Sequence, residues 1–181
     1  MHIPHDLLIV IPARNGSKRI KNKNLIKISK KYLIEHTFLL IKELNLEKQT
    51  YVTTDNKKIP NLAKKYKIEC IKRPKKLSSS KSNIESALIH LLKKEKLQKK
   101  FKWILLLQPT SPLRKKNTIR GLIKIFNNKK NYIDTIISFS ESKEDYWIKK
   151  NNFFEREDIN APRNQQQRKS KFYENGLFYI F

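Results

Sequence analysis

Two uninterrupted apolar runs, each followed closely by a proline, constrain the fold of this chain most. Residues 7–11 run directly into Pro12, and residues 103–107 end two positions before Pro109. Runs that are apolar at every position, rather than at alternate ones, are typical of strands buried on both faces of a sheet. Such strands need helices above and below them, so the two runs predict a parallel sheet inside an α/β domain.

The rest of the sequence alternates between helical and strand-like spacing. Apolar residues at helical spacing follow Leu33, Leu62, Ile84 and Ile119. Further short strands are predicted at residues 51–53, 68–71, 135–139 and 177–181. The alternation predicts a doubly wound sheet with helices on both faces, whose ligands bind at the carboxyl ends of the strands. We expect one domain over residues 1–181, with the polar, weakly periodic residues 140–171 forming an arm or insertion.

The formal net charge of +25, from 41 Lys plus Arg against 16 Asp plus Glu, indicates a polyanionic ligand such as nucleic acid. Only eight of the cations are arginine, and Asn and Ile are abundant too. An A/T-rich coding sequence produces that composition without selection for binding. On this interpretation most lysines are solvated surface residues. The alternative hypothesis of a basic nucleic-acid-binding domain therefore rests on charge alone, because the sequence has no recognition motif. Nucleic acid is not the expected partner.

Several classes of protein are disfavoured by simple features of the sequence. A single cysteine, Cys70, excludes an internal disulfide framework. No apolar run approaches the roughly 18 residues of a membrane span. Residues 1–6 lack the basic and apolar regions of a signal peptide, so we expect a cytoplasmic protein without a membrane partner.

The segment after the first apolar run has the parts of an anion site. Residues 14–23 hold five cations around Gly16, a residue that lets the backbone expose N–H groups. The spacing matches neither a P-loop nor a dinucleotide fingerprint. A second polar segment, residues 108–114, leaves the second run at the same predicted edge, and Gln108 and Thr110 can donate and accept hydrogen bonds with a base or a sugar.

Taken together, these segments resemble the acylneuraminate cytidylyltransferases (CMP-N-acetylneuraminic acid synthetases), which activate sialic acid and related acidic sugars. The resemblance rests on residues 11–14, 17–19, 23–24, 53–55, 73–74 with 77, 107–114, and 174–176 with 178–180. It implies a Rossmann-like nucleotide-diphospho-sugar transferase fold with an irregular dimerisation arm. It also implies a reaction in which the sugar's anomeric hydroxyl attacks the α-phosphate of CTP with Mg²⁺ as cofactor. The products would be pyrophosphate and a CMP-sugar for cell-surface polysaccharide biosynthesis, and the enzyme would be a homodimer.

The resemblance also implies roles for particular residues. The residues that would contact the triphosphate and act in catalysis are Arg14, Lys18 and Lys23. Those around the nucleotide are Arg14, Asn24, Arg73 and either Ser82 or Asn83. Those around the acidic sugar and the ribose are Gln108, Thr110, Ser111, Asn175 and Gly176. An arginine for the sugar carboxylate is expected at Arg163, with Arg168 and Lys171 as alternatives.

The family's acidic Mg²⁺-binding pair lies beyond the point where this sequence ends at Phe181. We therefore expect no metal ligands of that pair in this chain, and weak activity or none from a truncated domain. Asp55, at a predicted strand end, is either a metal ligand or a helix cap. The acceptor sugar stays open among sialic, legionaminic and pseudaminic acids, with 3-deoxy-manno-octulosonate as a near alternative.

Overall fold

The computed structural model describes residues 2–16, 19–79 and 82–181. The chain forms two compact units: unit 1 comprises Met1–Ile137 and Gly176–Phe181, and unit 2 comprises Ser138–Asn175. The strands are β1 (Leu7–Pro12), β2 (Lys27–Ile28), β3 (Lys31–Tyr32), β4 (Thr50–Thr54), β5 (Glu69–Lys72), β6 (Trp103–Leu106), β7 (Ile136–Ser142), β8 (Trp147–Lys150), β9 (Phe153–Arg156) and β10 (Lys171–Ile180). The helices are α1 (Leu33–Glu43), α2 (Ile59–Lys65), α3 (Ile84–Lys94) and α4 (Lys116–Lys129).

The central sheet has the strand order β5-β4-β1-β6-β10-β7. Strand β1 pairs in parallel with both β4 and β6, and β4 pairs in parallel with β5. Strand β10 joins in the opposite direction, with Leu106 opposite Tyr179. The predicted mostly parallel sheet is confirmed, and the two apolar runs are neighbouring strands whose carboxyl ends share one edge.

Helices cover both faces of this sheet, as expected for strands that are apolar at every position. Leu7, Ile9 and Ile11 pack into a cluster with residues of α1, α2 and α4, whereas Leu8 and Val10 pack on the opposite face with residues of α3. The five side chains of residues 7–11 in β1 are fully buried. The amino end of α3 is capped by Asn83, whose Oδ1 accepts the backbone N–H of Ser86 at 3.1 Å.

Three local elements differ from the sequence-based expectation. The polar stretch before α1 contains a two-stranded hairpin, β2–β3, whose turn residues Ser29 and Lys30 both have positive φ. Residues 140–171 contain a second hairpin, β8–β9, in which Lys150 pairs with Phe153. Strand β10 begins at Lys171 rather than at residue 177. None of the helices in the described residues is long and apolar enough to span a bilayer.

Unit 2 is organised around a cluster of charged side chains. The Asp145 carboxylate accepts a hydrogen bond from Arg156 Nε at 2.9 Å. It lies 2.8 Å from Arg156 Nη2 and 3.5 Å from Arg168 Nη2 as ion pairs. Both guanidinium groups also donate to backbone carbonyls, Arg156 to Ala161 at 2.7 Å and Arg168 to Pro162 at 2.8 Å. The hydrogen bond from Arg156 holds the pKa of Asp145 below its usual range. Charge pairing therefore fixes the loop between β9 and β10.

Candidate functional site

A cavity of about 280 Å³ opens in unit 1 where β1 and β6 end. It is lined by Pro12, Arg14, Lys23, Asn24, Arg73, Ser82, Asn83, Ile84, Leu106, Gln108, Pro109 and Thr110. Eight of the residues assigned from the resemblance are among them. The segments are brought together because the carboxyl ends of adjacent parallel strands meet at one edge.

The loop after β1 is held by the end of β4. The N–H of Ala13 donates to the carbonyl of Thr53 at 3.0 Å, and the Thr54 hydroxyl donates to the carbonyl of Ala13 at 2.5 Å. The N–H of Asn15 donates to Asp55 Oδ1 at 2.7 Å. Asp55 therefore orders the loop. It does not cap α2, because the N-cap position of that helix is Lys58 and no side chain of the described residues caps it; the expectation of a helix cap is wrong.

The cations of this loop are constrained and close together. Arg14 Nη1 donates to the carbonyl of Ser79 at 2.7 Å, and buried Asn24 donates from Nδ2 to the carbonyl of Arg14 at 3.1 Å. Partial burial, together with repulsion from Arg14 and Arg19, lowers the pKa of Lys23. Such a cluster lowers its own electrostatic energy by binding an anion, and a polyphosphate is the anion that best matches several cations at once.

Arg73 is fixed against the end of β4. It is 4% exposed, and its Nε and Nη2 donate to Thr53 Oγ1 at 3.3 Å and to the Thr53 carbonyl at 3.1 Å. Burial lowers the pKa of Arg73, while the charge of Asp55 acts in the opposite direction. The guanidinium is therefore a rigid donor group in the cavity wall.

Ser82 and Asn83, the two alternatives for one nucleotide contact, both line the cavity. Ser82 Oγ donates to the carbonyl of Lys76 at 3.0 Å and lies 2.8 Å from Ser79 Oγ. Asn83 uses Oδ1 to cap α3, whereas its Nδ2 has no hydrogen-bond partner among the described residues. Of the two side chains, Asn83 thus keeps a donor for a ligand.

The turn after β6 forms the opposite wall of the cavity. Gln108 and Thr110 line it, and Ser111 Oγ donates to the carbonyl of Gly176 at 3.4 Å. Gly176 has φ +70°, a conformation that favours glycine. Arg114 is buried, and its Nη2 donates to the carbonyl of Gln108 at 2.9 Å.

The remaining sugar-side candidates belong to unit 2. Arg163 is exposed there, and the Asn175 side chain donates to Ser140 Oγ at 2.9 Å. The alternatives to Arg163 are occupied: Arg168 binds Asp145 and the carbonyls of unit 2, and the Lys171 ammonium pairs with Glu157. Lys18 lies outside the described residues.

No cluster of three or more His, Cys, Asp or Glu side chains that could hold a metal ion occurs among the described residues. The described cavity lining also contains no carboxylate, and Mg²⁺ prefers carboxylate and phosphate oxygens. Asp55, an acid that contacts the loop after β1, already accepts the N–H of Asn15. The described side chains alone therefore do not fit a protein-held Mg²⁺.

Two residues have structural roles that the sequence argument did not assign to them. Asp55 orders the anion loop, and Arg114 holds the turn after β6. Both lie in segments that carry the family resemblance, and Asp55 also lies at the end of a predicted strand. Nothing in the sequence, however, predicts that Arg114 is buried while most of the other cations are solvated.

Comparison with known proteins gives the site its context. The sequence pattern of the family described as cytidylyltransferase matches residues 8–180. The CMP-N,N'-diacetyllegionaminic acid synthase of Legionella pneumophila is 38% identical over 121 residues, which are 66% of this chain and 52% of that protein. The N-acylneuraminate cytidylyltransferase of Escherichia coli is 28% identical over 136 residues, 75% of this chain and 32% of that protein.

Solved structures agree on the fold. The structure of CMP:2-keto-3-deoxy-manno-octonic acid synthetase in complex with CTP superimposes with a TM-score of 0.69 at 18% identity, covering 97% of this chain and 73% of that one. The chain belongs to the cytidylyltransferase family. It spans about half the length of the Legionella relative and about a third of the Escherichia relative.

Proposed function

We propose that this chain transfers a cytidylyl group from CTP to the anomeric hydroxyl of an acidic sugar of the nonulosonic, sialic-acid type. The observation that carries the proposal is the cavity at the ends of β1 and β6, which combines three cations with amide and hydroxyl groups. Nucleotidyl transfer needs positioning and charge neutralisation more than a covalent group. Arg14 and Lys23 supply the positive charge. The chain's membership of the cytidylyltransferase family supports CTP as the donor.

The proposed chemistry assigns separate tasks to the two walls of the cavity. The sugar hydroxyl oxygen attacks the α-phosphorus, the bond to the bridging oxygen breaks, and its electron pair leaves with pyrophosphate while the hydroxyl proton passes to water. Arg14 and Lys23 stabilise the negative charge that develops on the pyrophosphate. Asn24, Arg73 and Asn83 contact the nucleoside, and Gln108 and Thr110 orient the ribose and the sugar.

Arg163 is the proposed ligand of the sugar carboxylate. Arg168 and Lys171 are engaged within unit 2, whereas the Arg163 guanidinium has no hydrogen bond or ion pair with a described residue. A guanidinium binds a carboxylate through two parallel hydrogen bonds. Relatives that act on N-acylneuraminate and diacetyllegionaminic acid support an acidic nine-carbon acceptor, and the octulosonate synthetase keeps the eight-carbon acid as the alternative.

The test begins with binding. Isothermal titration of the 181-residue chain with CTP, UTP, ATP and GTP should give a measurable affinity for CTP and at least about tenfold weaker binding of the others. An oligonucleotide titration is the control for non-specific phosphate binding, which shows a steep salt dependence. Equal affinity for all four triphosphates would contradict the proposal.

Turnover identifies the acceptor. The chain is incubated with CTP and, separately, with N-acetylneuraminic, legionaminic, pseudaminic and 3-deoxy-manno-octulosonic acids, and CMP-sugar and pyrophosphate are measured. We expect one of the nine-carbon acids to react fastest. Omitting Mg²⁺ and adding EDTA tests the metal dependence, which stays a prediction from the resemblance.

A homodimer is also proposed. Unit 2 exposes several large apolar side chains, including Trp147, Phe153 and Phe154, and patches of this kind mark interaction surfaces. Light scattering after gel filtration should give twice the 21.7 kDa chain mass, and a single-chain mass contradicts the dimer. The cytoplasm is the proposed location because it holds the CTP pool.

A further inference from the structure

One guanidinium group connects the two chain segments beside the cavity. Arg114 is 7% exposed, and it donates from Nε to the carbonyl of Leu177 at 2.8 Å and from Nη2 to the carbonyl of Gln108 at 2.9 Å. Gln108 lies in the turn after β6, and Leu177 lies in β10. Both residues belong to unit 1. The single side chain therefore crosslinks the turn to the neighbouring strand.

The strand register shows what this crosslink does. Leu106 of β6 lies opposite Tyr179 of β10 in antiparallel pairing. Continuing that register by two residues on each strand places Gln108 opposite Leu177. The Arg114 guanidinium thus joins the two carbonyls at the place where the next hydrogen-bonded pair after Leu106 and Tyr179 would fall.

The pair after that cannot continue a regular ladder. The same register sets Pro109 opposite Gly176, and Gly176 has φ +70° rather than extended backbone. The pairing of β6 with β10 therefore ends here, beside the residues that line the cavity. A Cβ built on Gly176 would lie 4.0 Å from Gln108 Nε2, so the turn and the strand are in close contact.

Burying this guanidinium is costly. Burial lowers the pKa of Arg114 to about 10, and its Nη1 is buried without a hydrogen-bond partner among the described residues. A lysine has a single cationic point and a methionine has no donor, so neither can hold two carbonyls with a planar fork. The arrangement is therefore specific to arginine.

We propose that Arg114 is a positioning residue, which holds the turn at Gln108 and Thr110 against β10 so that these two side chains meet the nucleoside half of the bound nucleotide. The inference rests on the proposed function, since it takes CTP as the ligand. Arg114 itself is buried behind the turn and is not a member of the described cavity lining.

The test separates the nucleoside from the phosphates. The wild-type chain and Arg114→Lys are titrated calorimetrically with CTP and with inorganic tripolyphosphate. We expect Arg114→Lys to weaken CTP binding about tenfold, the size of one lost charge-assisted hydrogen bond. Tripolyphosphate, which needs only the cations of the loop after β1, should bind within about twofold of wild type. Arg120→Lys, an exposed arginine of α4, is the matched control and should change neither affinity.

Every result decides between the alternatives. Unchanged CTP affinity in Arg114→Lys, or equal weakening of CTP and tripolyphosphate, overturns the positioning role. Failure of the wild-type chain to bind CTP overturns the proposed function and the inference with it. If circular dichroism shows that Arg114→Lys is unfolded, Gly176→Ala disturbs the same junction from the β10 side, and a wild-type CTP affinity in that variant overturns the role.

Discussion

Lys23 is predicted to lower the stability of the ligand-free protein and to strengthen its binding of CTP. Its pKa is lowered from 10.5, first by burial and then by the charges of Arg14 and Arg19. A lysine with a lowered folded-state pKa binds fewer protons in the folded than in the unfolded state between the two values, so stability rises with pH across that window. Below the window the full penalty is present. Lys23→Met should therefore raise the melting temperature at pH 7.

The two expected effects have different sizes. Lys23 is only partly buried, so solvent screens its charge and the stability gain of Lys23→Met should stay below about 1 kcal/mol. Loss of a charge-assisted contact to a phosphate costs about 1.5–3 kcal/mol. The dissociation constant for CTP should therefore rise by a factor of about 10 to 150.

The assay combines thermal melts with calorimetric titration of CTP at low ionic strength. Lys21→Met is the matched control, because Lys21 lies in the same loop and is exposed, but is not among the cavity-lining residues. It should change CTP affinity by less than about threefold, as expected for a solvated charge. The advantage of Lys23→Met in melting temperature should shrink as the pH approaches 10.5. A variant that melts lower than wild type at pH 7, or binds CTP equally well, would refute the reasoning.

Three further substitutions test the packing. Gly121→Ala should raise the free energy of unfolding by about 0.8–1 kcal/mol and the melting temperature by about 2–4 °C, because Gly121 lies within α4 and a Cβ there meets no atom within 4 Å. Asn83→Ala should lower the free energy of unfolding in urea by about 1 kcal/mol, because the cap on the N–H of Ser86 is lost. Asp145→Asn should lower the melting temperature at pH 7. Since the pKa of Asp145 is held below 3.8 by Arg156, its stabilising effect is present above that pH and is lost as the pH falls through the lowered value.

Each of these substitutions has a control or a contradicting result. Asn83→Asp keeps an acceptor at the cap and should retain most of the stability that Asn83→Ala loses. Asp134→Asn, at an exposed acid of unit 1, should not reproduce the effect of Asp145→Asn. A wild-type melting curve for Asp145→Asn at pH 7, or a lower melting temperature for Gly121→Ala, would contradict the packing described above.

The core of the fold could be predicted because its strands have a clear hydrophobic pattern. Strands β1 and β6 are apolar at nearly every position, and burial on both faces of a sheet is what such strands require. The polar segments that follow them meet in one cavity because parallel strands end at a common edge. Hydrophobic pattern and topology thus predicted the location of the candidate site.

What escaped prediction lacks a pattern of that kind. The β2–β3 turn has positive φ at Ser29 and Lys30, positions where glycine, asparagine or aspartate usually signal a hairpin. Residues 171–175 of β10 are exposed along their whole length, so no alternation reports a strand. Arg114 contradicts the rule that cations stay at the surface.

The central place of β10 bears on how the molecule is made. Strand β10 lies between β6 and β7, and Ile180 is fully buried. Synthesis nevertheless supplies the part of β10 that belongs to unit 1, from Gly176 onward, only after all 38 residues of Ser138–Asn175. Until then β6 has an unpaired edge, which is a template for association with other chains. Pairing of β10 with β6 joins segments that are far apart in the sequence, and contacts of that kind form slowly during folding. Folding on the ribosome should therefore depend on a late event, and a chaperone that shields an open sheet edge would act before residue 176 has emerged.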